Sequence, residues 1–234
     1  MLKYCFTLSL IVLSFSSCDT LSKMAAPLSI TEGEAAEGLR QALDQGVGKG
    51  ISFLNTKDGF FGNSLYKVLL PPEAEKIENT LRQLGMGGMV DRAILQINRS
   101  AEDAVGFARP IFVNAIKSMT ITDAINIVKG GTNAATQYFK QKTTEQLIAA
   151  FTPKIKSSLD QLNATKYYGE LVNTYNNFPT TLHKINPDLT SYVAGKTVDA
   201  LFDQVAKEEA NIRTNLAARS TDVLRKVFGY AARG

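Results

Sequence analysis

From Arg109 to Phe139 the chain carries three helical patterns in quick succession, and a chain that turns on helices must bury their faces against other helices. Pro110 stands where a helix can begin, since a proline in the first turn gives up an N–H that has no partner there anyway. Ile111, Phe112, Ala115, Ile116 and Met119 then share one face at the 3.6-residue period. Thr120, with Asp123 three residues on, has the form of a capping box, and Ile121, Ala124, Ile125 and Val128 follow as an apolar face. Gly130 and Gly131 are expected to end that helix through the left-handed conformation that glycine accepts. Thr132 is placed to cap a third helix with Ala135, Tyr138 and Phe139 on its face. Together these signals predict an angular corner of short helices rather than a long rod.

The same period recurs on both sides. Thr31 with Glu34 makes a capping box for a helix through Leu39, Leu43, Val47, Ile51 and Leu54. Gly46, Gly48 and Gly50 weaken that helix and suit a close helix–helix approach. They are not a phosphate loop: the spacing is wrong, and no Ser or Thr follows Lys49. Asn55 to Leu70 reads as a loop, with turn chemistry at Lys57, Asp58 and Gly59, Phe60 and Phe61 tucked beneath it, and a few extended residues where Tyr66, Val68 and Leu70 alternate. Pro71 and Pro72 begin a helix to about Leu84, and Gly85, Gly87 and Gly88 form a hinge.

Val90 to Ala108 is the clearest amphipathic helix, with Glu102 among the residues of its polar face. Thr143 with Gln146 reads as another capping box, ahead of a stripe through Leu147, Phe151, Ile155 and Leu159. Tyr167, Leu171, Tyr175 and Phe178 share a face that is either core, with hydroxyls reaching the surface, or the wall of an apolar ligand site. A long helix from Leu189 to Ile212 and a last one capped by Ser220 or Thr221 complete the chain. The expected fold is all-α: a single-domain bundle of about eight to nine short antiparallel helices over residues 30–230, with 231–234 as a tail.

Several runs resemble the bacterial family named domain of unknown function 4197. They are Lys57 to Phe60, Ala108 to Phe112, Met119 to Ile121 with Asp123-Ala124, Ala134 to Phe139, Glu208-Glu209 before Ile212-Arg213, and Ala218-Arg219 with Val227 to Gly229. The similarity spans Gly38 to Gly229; Leu216 departs from it, standing where the family is expected to have proline. The resemblance implies a helical, exported bacterial protein and supplies no catalytic residues.

The N-terminus carries the expected location. Residues 1–17 read as a signal: Lys3, then an apolar run from Phe6 to Phe15 too short to span a bilayer. Small residues Ser16 and Ser17 precede Cys18, which looks like a bacterial lipobox and implies cleavage before Cys18 and lipid on its thiol; an ordinary signal peptide with an incidental cysteine is the other reading. Residues 18–29 would then be a tether to the membrane, the inner or outer membrane being left open. Cys5 leaves with the signal, so the mature chain forms no internal disulfide.

The net charge is +4, concentrated near the end in Arg213, Arg219, Arg225, Lys226 and Arg233 against Asp222. That cluster faces anionic headgroups or an acidic partner, or is a solvated helix face. Nucleic acid is not an expected partner: the chain is exported and carries no recognised binding motif.

The usual chemical constellations are missing. His183 is the one histidine, which excludes the commoner zinc clusters, and no metal or cofactor is expected. Glu208 and Glu209 are adjacent, about 100° apart on a helix, so they make no facing acid–base pair, and Glu209 with Arg213 reads as a surface ion pair. Lys57, Asp58, Arg109 and Thr136 are the polar candidates for a site, with Asp58 and Arg109 closing a loop over the central corner; turn formation, capping and surface pairing account for the same residues. The sequence thus points first to a periplasm-facing lipoprotein that meets an envelope protein partner, second to a carrier of lipid or another apolar molecule, and only third to an enzyme.

Overall fold

The computed structural model describes residues 31–161, 163–177, 184–186 and 188–231. Its α-helices are α1 (Glu32–Leu54), α2 (Glu75–Gln83), α3 (Gly87–Val105), α4 (Ala108–Lys117), α5 (Ile121–Lys129), α6 (Ala134–Gln161), α7 (Ala164–Asn176), α8 (Leu189–Thr214) and α9 (Asp222–Ala231), with short 3-10 turns at Pro72–Ala74 and Leu216–Ala218. No strand occurs among the described residues, so the all-α expectation is met. The helices are uneven in length: α1, α3, α6 and α8 have 23, 19, 28 and 26 residues and form the body.

Helix α8 packs along both α1 and α6, and α3 closes the far side of α6. Gly46 and Gly50 let α1 and α8 touch: a Cβ on Gly50 would stand 3.3 Å from the Gln204 Cβ, and one on Gly46 3.4 Å from that of Glu208. A glycine costs a helix about 1 kcal/mol against alanine, and this contact is what the row gives in return. Phe112, Phe139 and Phe202 meet edge to face at the centre, with ring centroids 5.0 and 6.1 Å from Phe112.

The central corner differs from expectation in its third helix. Pro110 does lie in the first turn of α4, and Thr120 with Asp123 does form a capping box at α5. However, Gly130 is extended (φ −73°, ψ 175°), not left-handed. Helix α6 starts at Ala134 and runs unbroken past Thr143, whose hydroxyl donates to the Phe139 carbonyl instead of capping a new helix. The third helix is therefore the longest rod in the fold.

The Thr31 box is present as well. The Glu34 carboxylate accepts from the Thr31 N–H at 3.0 Å and from Lys226 of α9 at 2.8 Å. Lys226, then the Thr31 N–H, holds its pKa down at about 2 against the usual 4.5. A depressed carboxylate stabilises the fold above its unfolded pKa and loses that contribution as pH falls through the folded one. The melting-temperature difference between wild type and Glu34→Gln is thus expected to be full above pH 4.5 and to vanish toward about pH 2, as scanning calorimetry across that range would show.

Candidate functional site

Two buried carboxylates and one buried amide fasten distant segments together. Glu209 of α8, 8% exposed, accepts from the Ala135 and Thr136 N–H groups at 3.0 and 2.9 Å and from the Thr136 hydroxyl at 2.8 Å. It thereby caps α6, the role expected of Thr132. Arg213, one turn on, pairs with Glu209 at 2.8 Å and donates to the Ile127 carbonyl at 2.8 Å at the end of α5. One i,i+4 pair thus closes both sides of the α5–α6 turn, where the helix ends carry opposite partial charges. The pair forms as the sequence suggests, but it is buried rather than on the surface.

On α3, Glu102 is 5% exposed and accepts from the Phe60 and Phe61 N–H groups, both at 3.1 Å, and from Arg99 at 2.6 Å. It belongs to the core side, not the solvent face to which its charge assigns it. Asn98, fully buried, accepts from the Val68 N–H and donates to the Val68 carbonyl, each at 2.8 Å, and to Ile94 at 2.7 Å. The sequence reading missed Asn98, although a signal was there: it lies four residues after Ile94 and three before Ala101, on the apolar stripe.

The described residues of the basic cluster near the C-terminus are engaged with other groups of the chain. Arg219, 3% exposed, donates to the Ile212 and Arg213 carbonyls at the end of α8. Arg225 pairs with Asp222 at 2.5 Å and Lys226 with Glu34 at 2.8 Å. Arg219 is thus a buried helix cap, which neither the solvated-face nor the docking reading foresees, while Arg225 is exposed and Arg233 lies outside the described residues.

Residues 67–69, neither helix nor turn and held by α3 at Val68, also border a cleft of about 920 Å³. Its walls are the 65–72 segment, the start of α2 at Glu75 and Glu78, and the face of α8 bearing Tyr192, Lys196, Asp199, Asp203 and Lys207. At one end the Tyr66 hydroxyl donates to Asp203 at 2.6 Å and accepts from Gln204 at 2.8 Å and Lys207 at 2.6 Å. Burial, then the Asp203 contact, raises the Tyr66 pKa. The Asp203 contact, then Tyr66, raises that of Lys207. Burial pushes Asp203 up, but hydrogen bonds from Lys207 and Tyr66 bring it below the usual carboxylate value. Phenol, ammonium and carboxylate are all moved away from neutral pH, the opposite of the tuning a general acid or base needs.

The sequence matches the family described as Protein of unknown function (DUF4197) over residues 29–229. The chain belongs to this family. No curated protein and no solved structure matches it. Some of the runs that carry the DUF4197 resemblance fall on the fasteners: Glu209, Arg213 and Arg219 at the helix ends, Ala135 and Thr136 at the start of α6, and Lys57 to Phe60 at the turn held by Glu102. Gly59 is fixed there by contact, since a Cβ would stand 2.5 Å from the Leu54 carbonyl oxygen.

The four polar candidates do not converge. Asp58 pairs with Arg99 at 2.7 Å, Arg109 reaches Asp44 at 3.5 Å, Thr136 joins Glu209, and Lys57 is exposed. Asp58 and Arg109 fail to meet because α3 places Arg99 nearer the loop. Cys18, Phe178 and His183 lie outside the described residues, as do the side chains of Tyr167, Leu171 and Tyr175 on α7. No group of three metal-ligating side chains occurs among the described residues, and no single helix there is long and apolar enough to cross a membrane.

Proposed function

We propose that this DUF4197 protein is tethered to a bacterial membrane through Cys18 and acts in the envelope by binding, with the cleft beside α8 as its binding surface. The observation that carries this reading is the contrast between that cleft and the rest of the polar chemistry. Glu102, Glu209, Arg213 and Arg219 are occupied by main-chain groups, whereas Lys196 and Asp199 face the cleft. Its volume, about 920 Å³, falls within the range of ligand sites. Carriage of an apolar molecule inside the bundle is less favoured. The space between α1 and α8 lined by Leu39, Leu43, Val205 and Phe228 is about 20 Å³, enough for a water and not for an acyl chain.

Two measurements test the proposal. Cys18→Ser is expected to move the chain from the membrane fraction to the soluble one. A photo-crosslinking amino acid at Leu69 or Lys196 is expected to give discrete adducts in cells that the same probe at Lys129, on the surface of α5, does not. If the cleft positions give nothing beyond Lys129, the binding reading is overturned.

A further inference from the structure

We infer that the cleft takes an extended peptide, which pairs with the main chain at Lys67 and Leu69 and lies along α8. This deepens the binding reading above and rests on it. Its basis is how Val68 is held. The Asn98 side chain bonds both the N–H and the C=O of Val68 at 2.8 Å, as a neighbouring strand would. Where one partner pairs both groups of a residue, as in a strand ladder, the neighbouring residues send their main-chain groups to the opposite side. That places the Lys67 carbonyl and both groups of Leu69 away from α3, while the Lys67 N–H donates to the Asn63 carbonyl at 2.8 Å. Among the described residues, the Leu69 N–H and the Lys67 and Leu69 carbonyls have no hydrogen-bond partner. An added strand docks on such an edge.

The side chains agree. Tyr66 and Val68 are buried, while Leu65 and Leu69 are 75% and 54% exposed and Lys67 stands between them. Across the trough, Lys196 and Asp199 sit one turn apart on α8, and neither is in an ion pair. That wall complements a peptide carrying one acidic and one basic side chain, with apolar ones toward Leu65 and Leu69. A compact small molecule fits less well, because the free donor and acceptors repeat at strand spacing instead of converging on one point.

A random-peptide display library panned on the full-length chain supplies the probe. Selected peptides are expected to bind Leu69→Pro at least about tenfold more weakly, because proline deletes the donor at a place where a strand edge tolerates it. Leu69→Ala, which keeps the N–H, is expected to lose less. N-methylation of alternate peptide amides is expected to abolish binding to the wild-type chain, and methylation of the intervening amides to change it by less than about twofold. This second measurement stands even where Leu69→Pro does not fold. Undiminished binding to folded Leu69→Pro, or equal sensitivity at every amide, overturns strand pairing. Failure to enrich any peptide, with adducts at Leu69 and Lys196 still forming, overturns the peptide and leaves the binding reading intact. Loss of both overturns both.

Discussion

Glu209→Ala is expected to destabilise the fold by about 3–5 kcal/mol, the usual cost of removing one partner from a buried, hydrogen-bonded ion pair. The change strips an acceptor from the Ala135 and Thr136 N–H groups and leaves Arg213 facing α5 without its counter-charge. For a chain of this size that loss corresponds to a melting temperature lower by roughly 10 °C. Its neighbour supplies the control. Glu208 reaches only Lys49, at 3.6 Å, and its Oε2, though buried, accepts no hydrogen bond, so its removal strands no donor. Glu208→Ala is therefore expected to cost at most about 1 kcal/mol. Urea unfolding of the two variants side by side decides the matter: equal losses would mean that Glu209 does not hold the start of α6. The double variant Glu209→Ala with Arg213→Ala should cost clearly less than the sum of the single changes, since the two act as one fastener.

Asn98→Ala is expected to cost about 2–4 kcal/mol. It leaves the Val68 N–H and C=O buried without partners, and each such group costs about 1–3 kcal/mol. The loss should be local in its first effect. Hydrogen exchange across residues 65–70 is expected to accelerate well before that of α8, because this one side chain makes the hydrogen bonds between those residues and α3, and Glu102 holds the adjoining turn separately. Exchange that speeds up uniformly across the chain would show instead that Asn98 supports the core as a whole. The same variant ties fold to function. With its wall released, the cleft should lose its selected peptides more completely than Leu69→Ala does.

Helix positions were legible where the signal was local. Thr31 with Glu34, Pro110, and Thr120 with Asp123 each act over three or four residues, and each sits where the sequence puts it. The alternation of Tyr66 and Val68 was local too. The reading failed where a distant residue took over a local task. Thr132 looked like a cap because nothing nearby reveals that Glu209, more than seventy residues on, already serves those N–H groups. Thr143 and Gln146 had the form of a capping box inside a helix that packing keeps continuous. Glu102 looked solvated because the loop that covers it comes from some forty residues earlier. The cleft was invisible for the same reason: it joins the 65–72 segment to the face of α8, and neither carries a pattern that names the other.

The pairing of α1 with α9 has a consequence for how the chain is made. Gln41 and Gln45 of α1 bond Thr221 and Ala218, and a Cβ on Gly38 would stand only 2.7 Å from Val227. The first described helix, which also packs on α4 and α5, therefore completes its packing only with the last two. Because a ribosome delivers the chain from its N-terminus, the packing of α1 against α4 and α5 is available early, whereas its packing against α8 and α9 has to wait until the chain is nearly complete. The two ends of the described chain are thus clasped together last, and the fold is closed only when synthesis is almost over.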